Sequence, residues 1–446
     1  MKTEYDVIVI GSGPAGMAAA VSASDAGASV CLVEREEKMG GILKQCIHDG
    51  FGLIRFEEKL SGPEYAWRYE QMVDSRDIDF LNLTFLTGLE PPSPPGSMEG
   101  SAIPEKGRWF RLNFISSVRG VFSLKAASIV TAMGCRERTD RQIFLHGSRP
   151  AGIFTAGQAQ DFINLKGLMP GRRPVILGSG DIGLIMARRF TLEGAKVSGV
   201  YEIGPRPSGL TRNVVQCLED FDIPLYLNST VTEVHGKDRI EAVTVCRLGG
   251  LGQPDPETAE LVECDSLILS VGLIPENDIL TPLEIEMDPV TRGPAVDQNM
   301  QTSISGIYSC GNALHVSDLV DYVSESGYKA GFAAACSVHT KYQMETELIP
   351  IESRGNLQYI MPQRLSLRSS EVLSEKAVPV FFRPLIPADE ALLVISSGEQ
   401  EIYRRKLRYL KPSEMQRVEV DFFNSDRINE PVIVELKTPA AGTGNE

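Results

Sequence analysis

Tyr5-Asp-Val-Ile-Val-Ile10 runs directly into Gly11-Ser-Gly-Pro-Ala-Gly16. The first six residues are mostly apolar and β-branched, the composition of a buried parallel strand. The small residues from Met17 to Ala26 read as a helix that stops at Gly27. A second strand, Ser29 to Val33, ends at Glu34, 23 positions after Gly11. Gly11 suits a tight turn, Gly13 lets backbone approach a pyrophosphate, and Gly16 lets helix and strand pack closely. Pro14 and Ala15 fall in the first helical turn, where a missing N–H is no loss. The positive helix end attracts phosphate, and Glu34 can accept hydrogen bonds from ribose hydroxyls. Strand, glycines, helix, second strand and acid together match a dinucleotide-binding fingerprint.

The pattern recurs. Arg173-Pro-Val-Ile-Leu177 reads as a strand, and Gly178-Ser-Gly180-Asp181-Ile182-Gly183 repeats the glycine turn. A helix from Ile182 to Glu193 stops at Gly194, and a strand from Lys196 to Tyr201 ends at Glu202, 24 positions after Gly178. Each copy is closed by a strand that ends in glycine, Ala127 to Gly134 and Asp265 to Gly272, with serine six positions before the glycine in both. The chain therefore carries two nucleotide-binding units.

Between these landmarks, Gly40 to Gly52 is dense in glycine, which lets backbone lie against a flat ligand at Gly41. Ser61 to Val73 reads as a helix and Asp79 to Leu86 as a strand. Pro91 to Gly107 reads as an exposed loop or hairpin insert. Arg108 to Ile115 and Gly120 to Leu124 read as strands of a small meander. Arg149 to Asn164 reads as a crossing between domains, and a helix is expected from about Asp318 to Ala335. From about Leu348 short apolar strands alternate with turns, an all-β texture, and Thr438 to Glu446 is expected to fray.

With 446 residues, about three domains are expected. The fold class is α/β, two Rossmann-like three-layer ββα domains plus a C-terminal all-β domain. A net charge of −15 argues against a nucleic-acid partner, which needs a basic face. No apolar run approaches the ~20 residues of a transmembrane helix. A strand starting at Tyr5 leaves no room for a signal peptide. The eight cysteines show neither CxxC nor paired spacing. They read as reduced thiols of a cytoplasmic protein, with no metal set among them.

Over residues 1–340 these motifs resemble the pyridine nucleotide-disulfide oxidoreductase superfamily, flavoproteins with two dinucleotide-binding domains. The resemblance implies that the first fingerprint binds FAD. It implies that the second binds NAD(H), inserted between two segments of the FAD domain. The expected organisation is an FAD domain of 1–150 and 276–345, an NAD(H) domain of 151–275 and a β-rich interface domain of 346–446. Thr302 to Asn312 looks like the late FAD motif, which brings in Gly311 and Asn312, the latter where aspartate is usual. The implied FAD ligands are Gly11, Gly13, Pro14, Ala15, Gly16, Glu34, Gly41, Gly134, Gly311 and Asn312. Those for NAD(H) are Gly178, Gly180, Asp181, Ile182, Gly183, Glu202 and Gly272.

Gly40–Gly52, Gly134-Cys-Arg-Glu-Arg138 and Arg149–Asn164 look like flavoprotein subunits that accompany glycerol-3-phosphate-dehydrogenase-like partners. More distantly they resemble the FAD/nucleotide subunits of sarcosine, opine and proline dehydrogenases. The implied function is an FAD-dependent oxidoreductase passing hydride between NAD(H) and flavin. It would be an electron-transfer subunit with a partner dehydrogenase and a small electron-transfer subunit. Homo-oligomerisation and attachment to the inner face of a membrane through a partner stay open. Disulfide reductases place two cysteines at the flavin, and that pair is missing here. Cys46 alone lies in the glycine-rich stretch. It is either a redox thiol, as in a stand-alone NADH-dependent peroxide or disulfide reductase, or a packing residue. His48 and His315 are either proton donors or structural. A third reading is a scaffold subunit with a structural nucleotide site.

Overall fold

A computed structural model describes residues 2–92, 109–339, 348–366, 377–422, 428 and 430–438. The chain forms two compact units, residues 1–135 with 275–446, and residues 136–274.

In the first unit the fingerprint strand Glu4–Ile10 is central. Val30–Val33 pairs with it on one side and the C-terminal half of Gly120–Thr131 on the other, both parallel. Ile78–Leu81 and Ile307–Ser309 extend the parallel sheet outward. Helix Pro14–Asp25 is buried along most of its length, and this is why it is built of alanine and glycine rather than as an amphipathic helix. Helix Val320–His339 packs against it. A Cβ on Gly327 would fall 2.1 Å from the Ala15 carbonyl oxygen, and one on Gly331 would fall 2.0 Å from that of Ala19. Only glycine allows this approach.

Two sequence expectations change here. Asp79 to Leu86 is not one strand: Ile78–Leu81 ends and Thr84–Glu90 begins, with Leu83 between them in the left-handed region at φ 47°. The apolar pattern carries no sign of that break. Conversely, Gly120–Leu124 and Ala127–Thr131 belong to a single strand of 12 residues, Gly120–Thr131, which stops three residues short of Gly134. Its first half pairs antiparallel with Phe110–Ser116, half exposed, and its second half is buried between parallel neighbours. One strand thus changes from an alternating to a continuous apolar pattern. Most of the Pro91–Gly107 stretch lies outside the described residues, as do residues 439–446.

The second unit repeats the arrangement. Pro174–Leu177 pairs in parallel with Ser266–Leu269 and Gly199–Tyr201, and Ile153–Thr155 and Leu225–Tyr226 lie at the edges. Register makes the repeat explicit: Val7 faces Ser128 as Pro174 faces Ser266, each four residues before the first turn glycine. Arg149–Asn164 is no mere crossing. It supplies the edge strand and helix Ala156–Asn164, whose capping box is formed by Thr155 and Gln158. A second sheet is built on the antiparallel strands Ser229–Gly236 and Ile240–Arg247.

Residues from Ile349 onward form two small β-sheets around an apolar core that includes Leu393, Ile395, Phe382 and Val434. Strand Gln400–Leu410 belongs to this module, although exposed Arg404, Arg405, Lys406 and Arg408 hide its alternation in the sequence. The module rests on the first unit's core. Gln363 accepts from Val296 N–H at 3.1 Å, Gln298 exchanges hydrogen bonds with Ser366, and Arg383 pairs with Asp318.

Candidate functional site

The first glycine turn is closed on one side and open on the other. Gly11 has φ 98°, and a Cβ there would sit 2.5 Å from the Ala132 carbonyl oxygen. A Cβ on Gly16 would sit 1.7 Å from the Gly11 carbonyl oxygen, whereas a Cβ on Gly13 would meet no atom within 4 Å. Gly11 and Gly16 are therefore packing glycines, and Gly13 faces free space. Gly41 closes on Gly13, its Cβ position lying 3.0 Å from the Gly13 Cα, and Gly311 closes on Ala15 at 2.8 Å. Gly134, at φ 72°, also faces open space. Pro14, Ala15 and Gly16 begin the helix, and the N–H groups of its first turn have no helical acceptor. Glu34 is buried at the end of its strand. One carboxylate oxygen accepts from Ser12 N–H at 2.9 Å and Ser12 Oγ at 2.7 Å; the other accepts from Glu36 N–H at 2.9 Å.

The second turn has the same logic. A Cβ on Gly178 would fall 2.1 Å from the Ser270 carbonyl oxygen, and one on Gly183 would fall 2.6 Å from the Ser270 Cβ. Ser270 Oγ accepts from Gly183 N–H at 3.1 Å. Glu202 accepts from Ser179 N–H at 2.9 Å, from Ser179 Oγ, from Ser208 Oγ at 3.1 Å and from Gly204 N–H at 2.8 Å. Asp181 Oδ1 accepts from Leu210 N–H and Asn213 Nδ2, so this acid pins the 204–210 loop to the helix start. Ile182 is half-buried and packs on the unit's core. Gly180 caps the helix, and Gly272 sits at φ 100° beyond the closing strand.

Sequence reasoning passed over the two serines. Ser12 and Ser179 are fully buried, and each donates both its N–H and its hydroxyl to the acid that ends the next strand. The signal was present: the residue between the first two glycines is serine in both copies.

Asn312 is doubly held. Its Oδ1 accepts from Ser317 N–H at 3.1 Å, and its Nδ2 points to Cys135 Sγ at 3.7 Å, beside Gly134. Asn277 adds its Nδ2 to the Ala313 carbonyl oxygen at 2.7 Å, and its own Oδ1 is buried with no hydrogen-bond partner. That orphaned acceptor lies beside the Gly311–Ala313 turn.

The candidate acid–base and thiol groups each have a protein neighbour in the first unit. Cys46 Sγ contacts the Ile42 carbonyl oxygen at 3.3 Å, and burial pushes its thiol up to about 12. A raised pKa keeps the thiol protonated, and the thiolate is the reactive form. His48 Nδ1 lies 3.1 Å from the Asp49 carbonyl oxygen and its ring packs on Phe51. His315 is buried against Tyr359 and Phe381. Burial, with the Arg383 guanidinium nearby, lowers its pKa to about 4.

The donor set fits two dinucleotides. Each turn has a glycine opening or helix start for a pyrophosphate, and each strand-end carboxylate keeps one oxygen with a single protein donor for a ribose hydroxyl. No helix among the described residues is long and apolar enough to cross a membrane.

Comparison with known proteins agrees. Residues 6–49 match the FAD dependent oxidoreductase family model. One of the subunits of opine oxidase from Rhizobium meliloti is 25% identical over 370 residues, 76% of this chain and 64% of its own. One of the subunits of alkyl hydroperoxide reductase from Pseudomonas putida is 28% identical over 340 residues, 75% of this chain and 58% of its own. The chain thus spans somewhat less than two thirds of these relatives. Thioredoxin reductase of T. acidophilum superposes over 75% of this chain and 98% of its own, with a TM-score of 0.58 and 21% identity, a likeness of fold. Residues 102–337, more than half of the chain, match the model of the pyridine nucleotide-disulphide oxidoreductases. The chain belongs to this family of FAD-dependent oxidoreductases, which bind FAD and NAD(P)H.

Proposed function

We propose that this chain is the FAD- and NAD(H)-binding electron-transfer subunit of a multi-subunit dehydrogenase. In this reading the first unit holds FAD and the second unit, residues 136–274, holds NAD(H), so residues 136–150, expected with the FAD domain of 1–150 and 276–345, go with the NAD(H) domain expected at 151–275; residues 346–446 serve as an interface domain. Gly11, Gly13, Pro14, Ala15, Gly16, Gly41, Gly134, Gly311 and Asn312 form the FAD cradle, and Glu34 takes the adenosine ribose. Gly178, Gly180, Asp181, Ile182, Gly183 and Gly272 form the second cradle, with Glu202 on the ribose. Bound FAD supplies a two-electron centre that exchanges hydride with the nicotinamide. The chain's residues hold the two groups and exclude water. Ser12 and Ser179 fix the two ribose-binding carboxylates as rigid acceptors.

The observation that carries the subunit reading is the state of Cys46. A thiol pushed up to about 12 is a poor redox nucleophile, and the cysteine pair of disulfide reductases is missing. That disfavours thiol chemistry at the flavin, and in the subunit reading a carbon substrate is oxidised on a partner. Similarity to the opine oxidase protein, by its name one subunit of an oxidase, supports this. A partner dehydrogenase and a small electron-transfer subunit are the expected company, and the cytoplasm is the expected compartment.

The test is direct. Isolated chain should pass electrons between NADH and an artificial dye, yet leave glycerol-3-phosphate, 2-hydroxy acids and amino acids untouched until partner subunits are added. Oxidation of such a substrate by the chain alone at about 1 s⁻¹ or more would refute the proposal. The similarity to the alkyl hydroperoxide reductase protein favours a second reading, a stand-alone peroxide reductase. It predicts peroxide-dependent NADH turnover that is lost in Cys46→Ser.

A further inference from the structure

Arg138 is half-buried in the second unit. Its guanidinium forms no hydrogen bond or ion pair with the described residues. Several exposed arginines of this unit, among them Arg149, Arg206 and Arg247, have water to solvate them, whereas half-buried Arg189 pairs with Glu193. A guanidinium that is partly desolvated and lacks an anion is costly unless a ligand supplies one.

Its backbone is fixed from two sides. Arg138 N–H donates to the Gly272 carbonyl oxygen at 3.1 Å. The preceding Glu137 carboxylate accepts from Gly157 N–H at 2.8 and 3.0 Å, at the start of helix Ala156–Asn164. The side chain then passes over Gly272: a Cβ there would come 3.9 Å from Arg138 Nε and 4.0 Å from its Cζ. Gly272 is two residues beyond Ser270, at most about 7 Å of extended chain. Ser270 is the wall of the glycine turn, its Oγ lying 3.1 Å from a Cβ position on Gly180. The cation therefore lies over Gly272, two residues along the chain from the serine that walls the Gly178–Gly183 turn.

Charge explains why a cation belongs there. Each turn has a strand-end acid beside it, Glu34 or Glu202, but the second helix opens with Asp181 where the first opens with Pro14, which adds one carboxylate. A pyrophosphate arriving here meets two carboxylates as well as the helix end. Both carboxylates are committed to protein donors, and a planar guanidinium matches phosphate oxygens in a fork.

We propose that Arg138 binds the pyrophosphate of the dinucleotide held by the second unit. The inference rests on the reading of that unit as the NAD(H) site. The test uses the full chain and two probes, NADH by fluorescence and ADP-ribose by calorimetry. Arg138→Met should weaken both by about tenfold to a hundredfold, because both carry the pyrophosphate. The unliganded melting temperature should hold or rise, since an unpaired cation has gone. Arg138→Gln should behave alike and serves if Arg138→Met fails to fold. Unchanged affinities, or loss of NADH binding with ADP-ribose binding intact, would overturn the assignment. A wild-type chain that binds neither probe would sink the reading of the second unit itself.

Discussion

Asp297 and His315 lie in the first unit where the β-rich module rests, and they titrate in opposite senses. Burial pushes the Asp297 carboxyl up to about 6, although the N–H groups of Gln301 and Asn299 and the Arg364 guanidinium oppose this. Its folded value lies above the unfolded one, so its stabilising effect is complete below pH about 4 and is lost as pH rises through 6. At 1.36 kcal/mol per unit, the swing is about 3 kcal/mol. His315 is lowered to about 4, by burial first and the Arg383 charge second, with Tyr359 against its ring and Asp318 paired to Arg383. Its contribution is complete above pH about 6.5 and is lost as pH falls through 4, again a swing of about 3 kcal/mol. The two nearly cancel between pH 4 and 6. Asp297→Asn keeps the acceptor that receives Asn299 and Gln301 N–H, yet removes one arm of the balance. Relative to wild type, the variant should be about 2 kcal/mol more favoured at pH 7 than at pH 4. Urea denaturation of both proteins from pH 4 to 7 reads this directly. A difference between them that does not change with pH would refute the reasoning.

Gly13→Ala should fold normally, because its methyl enters open space, but should weaken FAD binding about tenfold or more; unchanged flavin affinity would count against the cradle. Gly16→Ala, whose methyl would overlap the Gly11 carbonyl, should instead lower the yield of folded protein, measured by solubility and melting. Glu202→Gln should shift the NADPH-to-NADH ratio of flavin-reduction rates upward by about tenfold, since the carboxylate that repels a 2′-phosphate is gone; an unaltered ratio would argue against Glu202 at the ribose. Cys46→Ser should leave NADH–dye activity within about twofold, as expected of a packing thiol.

The two glycine turns, their strand-end acids and the internal repeat were legible in the sequence because each depends on local backbone. A turn at positive φ, a carbonyl too close for a Cβ and a helix start admit few residue types, so spacing alone reveals them. The β texture of the C-terminal module was legible for the same reason. Strand Gln400–Leu410 was not, because its exposed face carries charge. The run from Asp79 to Leu86 looks continuous, yet the chain turns at Leu83. Gly120–Thr131 looks like two strands because its neighbours change half-way along. The roles of single side chains were also decided by the tertiary structure. Ser12 and Ser179 became partners of the acids, Cys46 was set against the Ile42 carbonyl oxygen, His315 was buried against Tyr359, and Arg138 has no counter-ion among the described residues beside Gly272. Burial and pairing depend on groups far apart in the chain. Local periodicity records what each residue prefers, and the packed structure decides which neighbours it meets.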